Sequence, residues 1–248
     1  MKSFKSHRGM VATLDRANVD TDQIIPKQFL KSIARTGFGP QLFYDWRYLP
    51  NGKPDPNFSL NAPRFKNASI LVTRNNFGCG SSREHAVWAI QQDGYEVVVA
   101  PWVERGQNRI PAFADIFRNN SFKNALLAIE LSEAEVEEIF QMVERHKDLE
   151  ASVNMDEQRL TLHTPEEISF HFELDPAIKH RLIHGLDDIG ITLKHDAAIA
   201  EYEKKFRPKG SSTSRLFFRG SACAGSGDPS SPGPVRFAPK EIRNGPCV

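Results

Sequence analysis

Asn75-Asn76-Phe77-Gly78-Cys79-Gly80-Ser81-Ser82-Arg83-Glu84-His85 is the stretch on which the reading of the fold turns. It follows Ser69-Ile70-Leu71-Val72-Thr73, an apolar, β-branched run that reads as a strand. It precedes Ala86-Val87-Trp88-Ala89-Ile90, which reads as a helix. A strand, a glycine turn and a helix start therefore meet at Ser81, Ser82 and Arg83. The glycines allow left-handed backbone angles and a close approach to a ligand. A serine at the helix start is expected to cap free N–H groups, and such N–H groups favour an anion. Arg83 adds a planar, permanently charged fork suited to a carboxylate or phosphate. The same residues also read as an ordinary capped helix with Arg83 and Glu84 solvated.

Outward from this turn, strand-like and helix-like runs alternate. After a break at Arg8-Gly9, residues 10–14 read as a strand, as do 68–73 and 96–100. Residues 83–92, 113–121 and 132–145 read as helices; in the last, Ser132 and Glu135 form a capping box ahead of the stripe Val136, Ile139, Phe140 and Val143. Residues 158–162 and 168–174 suggest a hairpin, and helices follow over 176–184 and 197–206. Alternating βα units followed by a hairpin indicate an α/β domain over residues 1–206. Residues 36–67 form a long irregular segment rich in Gly, Pro, Asn and aromatics, expected to be functional or to lie over a partner surface. Residues 207–248 are rich in Gly, Ser and Pro and read as a disordered tail.

With 40% hydrophobic and 25% charged residues, the 248-residue chain reads as an ordinary soluble globular protein. A formal net charge of +1 gives no global field for nucleic acid. The apolar runs are too short for a membrane span, and the N-terminus lacks the apolar core of a signal peptide, so the expected location is cytoplasmic. Cys79, Cys223 and Cys247 make neither a disulfide framework nor a CxxC metal site. Iron–sulfur clusters are held by several thiolates, so cluster chemistry would have to come from a partner.

A second constellation is Asn18-Val19-Asp20-Thr21-Asp22-Gln23-Ile24-Ile25-Pro26. Two carboxylates beside a threonine can orient a base or a water, or share a cation. They also fit an Asx-turn leading into a helix. Arg35-Thr36-Gly37 follows and can bring another cation to the same anion. Other motifs are weaker. Gly78-x-Gly80 has Arg83 where a dinucleotide fingerprint needs its third glycine, and neither serine sits in Gly-x-Ser-x-Gly. His180 and His184 stand at helical spacing but lack a nearby third ligand. A serine hydroxyl acts as a base only where dipoles and cations stabilise its alkoxide.

Together these segments resemble the small-subunit family of 3-isopropylmalate dehydratase, the swivelling domain of the aconitase superfamily. The resemblance rests on residues 18–26, 29–39 with Phe43-Tyr44-Asp45-Trp46-Arg47, 75–86, 113–120 and 185–193, and it spans nearly all of residues 1–206. It implies a β/β/α swivelling domain that closes over a separate large subunit, on which a [4Fe-4S] cluster is held. It implies the isomerisation of 2-isopropylmalate to 3-isopropylmalate through 2-isopropylmaleate, in leucine biosynthesis. By position, Ser81 matches the alkoxide base, and Asp22 the active-site aspartate of a Thr-Asp pair. Arg83, Ser82, Arg35 and Thr21 match substrate-binding positions, and the loop after Pro26 is where the family reads the alkyl group. The resemblance implies no metal ligand in this chain. Sister readings are the small subunit of a citraconate, homoaconitate or methylmalate dehydratase, or a non-catalytic anion-binding module. Two features depart from the family. Residues 102–111 intervene between Ala100-Pro101 and Ala112-Phe113-Ala114-Asp115-Ile116, after a strand and near a subunit or active-site rim, and the tail runs past the usual end.

Overall fold

The computed structural model describes residues 1–31 and 34–206. The expected tail, residues 207–248, lies outside them. The chain divides into two compact units, residues 1–200 and 201–248. Of the second, the described residues are 201–206, where Tyr202 and Phe206 are exposed and their rings lie 4.5 Å apart.

The first unit is built on one mixed sheet. Its parallel part comprises β1 (Ser6–Leu14), β2 (Ile70–Thr73), β3 (Val97–Arg105) and β5 (Leu127–Ser132), with β2 between β1 and β3, and β5 on the far side of β3. Strands β2 and β5 and the first half of β3 are buried almost continuously. Parallel strands covered on both faces read as unbroken apolar runs, as these do. The antiparallel part adds β6 (Glu150–Asn154), β7 (Arg159–Leu162) and β8 (Ile168–His171) to the other edge of β1. The expected hairpin is thus β7–β8.

Strand β1 serves both halves. Residues 11–14 pair with β2, whereas residues 6–10 pair antiparallel with β6. The strand therefore does not break at Arg8-Gly9. It runs through Gly9 because any Cβ there would overlap the Ser69 hydroxyl, so the missing side chain permits the packing.

Helices α3 (Glu84–Gln92), α4 (Asp115–Lys123) and α5 (Glu133–Arg145) follow β2, the segment after β3, and β5. Helix α5 carries the anticipated Ser132/Glu135 capping box and buries Val136, Ile139, Phe140 and Val143. Each such side chain contributes about 1.5–3 kcal/mol of burial. Three further helices are α6 (Pro176–His184), α7 (Asp188–Leu193), which the sequence reading missed, and α8 (Asp196–Phe206).

The irregular segment 36–67 is largely exposed but anchors a set of apolar side chains in the core. It folds into short turns, among them α2 (Tyr44–Arg47), and buries Phe38, Leu42, Phe43, Phe58, Leu60 and Phe65. Its aromatics pack on one another, Phe43 stacking on Trp46 and Tyr44 lying against Tyr48. A bidentate Arg47–Asp93 pair, at 2.8 and 2.9 Å, fastens it to the end of α3.

The segment 102–111 continues β3 beyond Trp102, its last residue paired with β5, and returns as β4 (Asn108–Ile110). A two-residue turn joins the strands, with Gly106 at φ +63° and Gln107 in ordinary space, the type II′ pattern. Among the described residues no helix is long and apolar enough to cross a membrane.

Candidate active site

Strands β1, β2, β3 and β5 all end at one edge of the sheet, because they run parallel. Ligands of open α/β sheets gather at such a carboxyl edge. Two loops meet there. The chain leaving β1 forms α1 (Thr21–Ile24), and the chain leaving β2 forms the turn before α3.

The two loops are joined by main-chain hydrogen bonds. Val19 O accepts from Gly78 N–H at 2.8 Å, and Cys79 O accepts from Thr21 N–H at 2.9 Å. The Thr21 hydroxyl donates to Ser81 O at 2.8 Å. Gly78 and Gly80 take φ of +75° and +89°. Here both glycines are obligatory: a Cβ at Gly78 would overlap the Phe117 ring, and one at Gly80 the Asp20 carboxylate.

The paired carboxylates divide their work. Asp20 caps α1 in a capping box with Gln23, which is the Asx-turn reading of this segment. Asp22 accepts from Arg83 through Oδ1 and lies 3.4 Å from Lys27 Nζ through Oδ2. Arg83 is 10% exposed and Asp22 35%, so the guanidinium is held in place by one carboxylate in a largely desolvated pocket. Its remaining N–H donors are available to a ligand anion.

One expectation fails at the helix start. Arg83, not a serine, is the N-cap of α3, and it makes no side-chain capping bond. Ser81 and Ser82 are exposed on the preceding turn. Gly80 sets the backbone so that the serines stand ahead of the helix rather than over its N–H groups. The first turn of α3 is thereby left without a side-chain cap, which suits a bound anion.

Comparison with known proteins identifies the family. The aconitase C-terminal domain family matches residues 1–134, and the family of the C-terminal domain of the 3-isopropylmalate dehydratase small subunit matches residues 188–209. The 3-isopropylmalate dehydratase small subunit of Desulforapulum autotrophicum is 57% identical over 205 residues, covering 83% of this chain and 96% of that one. The chain belongs to the small-subunit family of 3-isopropylmalate dehydratase. The crystal structure of 3-isopropylmalate dehydratase from Methanocaldococcus jannaschii shares the fold, with a TM-score of 0.55 at 21% identity, over 79% of this chain and 99% of that chain.

Within this small-subunit fold, Ser81, Ser82, Arg83, Thr21 and Asp22 are brought together by the two loops. Arg35 comes from a third. Its carbonyl accepts from Gln92 Nε2 at 2.8 Å, and its guanidinium lies 5.8 Å from the centre of the Trp88 ring, so it sits along α3. Phe38 N–H donates to Gln92 Oε1, holding the same loop from its other end. His85 packs edge-on against Phe38 and beside Trp88, with ring centres at 5.3 and 4.8 Å.

The family implies an iron–sulfur cluster, and the donors among the described residues do not fit one. Among the described residues no group of three or more His, Cys, Asp or Glu could hold a metal ion. Cys79 is half-buried; burial, and then the Asp20 carboxylate, push its thiol pKa up, away from a ready thiolate ligand.

Sequence reasoning missed Lys27 beside Asp22, and the Thr21 hydroxyl as a tie to the serine turn. The Asp20-x-x-Gln23 spacing carried a capping-box signal. Lys27 had none, since its approach depends on the turn of 3₁₀ helix Lys27–Lys31.

Proposed function

We propose that this chain forms one half of a hydro-lyase active site. The other half is a large subunit that bears a [4Fe-4S] cluster, and the pair interconverts 2-isopropylmalate and 3-isopropylmalate through 2-isopropylmaleate in leucine biosynthesis, in the cytoplasm. Family membership supports the assembly and the substrate. The observation that carries the site reading is the tie of the Asp22 loop to the Ser81–Arg83 turn, through the Thr21 hydroxyl bond and the Arg83–Asp22 pair.

The chain's own residues divide the chemistry as follows. Arg83, fixed by Asp22, offers its free N–H donors to one substrate carboxylate. Ser82 and the uncapped N–H groups of α3 extend that anion site. Arg35 approaches from its loop as a second cation, and Thr21 holds the turn in place. Ser81, exposed ahead of the helix, takes the C–H proton as an alkoxide that Arg83 and the helix N-terminus stabilise. After hydroxide leaves, Ser81 returns its proton to the neighbouring carbon as hydroxide adds to the carbon that lost the proton. Loss of hydroxide calls for a Lewis acid, which is what the partner's cluster would supply.

The test is reconstitution with the cognate large subunit. The pair turns over 2-isopropylmalate, and the small subunit alone does not. Ser81→Ala lowers turnover about 10²–10⁴-fold while the two subunits still associate. Full activity in that variant would remove Ser81 from the role of base. Turnover of citraconate, homoaconitate or a methylmalate in preference to 2-isopropylmalate would transfer the chain to a sister activity.

A further inference from the structure

The hairpin β3–β4 has no part in the proton chemistry, yet it is built into the catalytic edge. Its return strand runs directly into the serine turn: Asn76 N–H donates to Pro111 O at 3.0 Å, Phe77 N–H to Ala112 O at 2.9 Å, and Ala114 N–H to Phe77 O at 3.1 Å. Phe77, Phe113 and Phe117 pack together beneath this junction, and the Phe117 ring is the one that lies against Gly78. The hairpin and the turn therefore share a rigid base.

Above that base the hairpin stands free of the sheet. The last β3 residue paired with β5 is Trp102, opposite Ser132, so residues 103–105 are paired only with β4. At about 3.3 Å per residue the arm projects roughly 10 Å past the sheet. Val103 is buried, and the Arg109 guanidinium stacks on Trp102 at 4.3 Å, which stiffens the root. Residues 104–109 are all exposed. Among the described residues, the side chains of Glu104, Arg105, Gln107 and Asn108 make no hydrogen bond or ion pair.

An isolated two-stranded hairpin is marginal in water, and an unpaired strand edge is a liability. We propose that this arm is a docking element that grips the large subunit at the rim of the shared site. This rests on the reading of the chain as half of a two-subunit active site. The occupant follows from position. The arm rises from the edge that carries Ser81, so whatever covers the arm also faces the serine turn, and only the large subunit, which completes the site, can do so without blocking it. Charge adds a second constraint. Arg105 and Arg109 outweigh Glu104, so the matching surface is acidic, and the contact weakens with salt.

The experiment compares the wild-type chain with Arg105→Glu/Gln107→Glu, at two positions whose side chains make no hydrogen bond or ion pair with the described residues of this chain. Circular dichroism and the thermal midpoint establish that the variant is folded. Affinity for the purified large subunit is then measured by calorimetry at low and moderate salt, and activity is titrated against large subunit. The expected result is a dissociation constant raised at least tenfold at low salt, a reduced salt dependence, and unchanged turnover once the large subunit saturates. A Glu104→Lys variant is expected to bind more tightly. Unchanged affinity in both variants, alongside an active wild-type pair, would overturn the docking role. Gain of binding to a second copy of the chain, or to an oligonucleotide, in place of the large subunit would overturn it as well. A wild-type pair that associates without activity would instead count against the proposed function.

Discussion

The Thr21 hydroxyl donates to the main-chain carbonyl of Ser81 at 2.8 Å, across 60 positions of sequence. Thr21 is almost fully buried, so this bond is made in a dry environment, where losing one partner leaves the other unsatisfied. Thr21→Val keeps the shape and deletes the donor. It is expected to raise KM several-fold and lower turnover in the reconstituted enzyme, as the serine turn loosens. Thr21→Ser should restore most of both. Wild-type kinetics in the valine variant would show that the main-chain bonds hold the turn alone.

Gly80→Ala tests the close approach of the two loops. The position has φ +89° and faces the Asp20 carboxylate. Left-handed strain alone costs on the order of 1–3 kcal/mol, and the overlap must also push Asp20 off the start of α1. Urea denaturation is expected to show lower stability, and the reconstituted enzyme almost no activity. An alanine variant as stable and active as wild type would mean that the loops are not in contact there.

The Arg47–Asp93 pair predicts a stability effect without a direct catalytic one. The side chains are 14% and 18% exposed and joined in bidentate fashion. Asp93→Asn leaves a buried guanidinium short of its counter-charge, at a cost of about 3 kcal/mol. Removing both charges with Arg47→Met/Asp93→Asn should cost less than that single change. A double variant less stable than the single one would show that the pair is a net stabiliser rather than a mutual obligation.

His7 makes folding sensitive to mildly acidic pH. Its Nε2 lies 2.7 Å from the Ser69 hydroxyl, and its Nδ1 faces Glu96, which is itself paired with Lys2. Burial lowers the pKa of His7 from its ordinary 6.5, outweighing the opposing pull of Glu96, while Lys2 adds to the lowering. The unfolded chain therefore binds this proton before the folded one does. Stability is full above about pH 6.5 and declines as pH falls below that value toward the lowered folded pKa. Equilibrium unfolding between pH 5 and 8 should show the decline, and His7→Gln should flatten it. An identical pH slope in the glutamine variant would place the sensitivity elsewhere.

The parallel half of the sheet was legible where strands are buried on both faces. Ile70-Leu71-Val72 and Val97-Val98-Val99 are unbroken apolar runs, and α5 announced itself through Ser132 and Glu135. Strand β1 was cut short because Gly9 looks like punctuation in a chain read without its neighbours, whereas in the fold it makes room for Ser69. Within the irregular segment 36–67, the burial of Phe38, Phe43 and Phe58 was not legible, because no periodicity marks which aromatics turn inward. The two candidate constellations stood out by residue type and spacing, and the roles expected of their residues came from the family resemblance. Which carboxylate meets Arg83 could not, because Asp20 and Asp22 differ only in which way α1 turns them.

Strand β1 pairs with β2 across residues 11–73, and the site exists only where the loops leaving those two strands touch. Helix α1 can close its own capping box locally, but the bonds between the two loops wait on the pairing of β1 with β2. Such long-range parallel pairing is slow, since the intervening chain must be ordered before contacts reward it. The serine turn and the root of the hairpin arm are thus tied to the same long-range pairing. The edge is a readout of the whole parallel pairing, since it takes shape only when β1 and β2 have found each other.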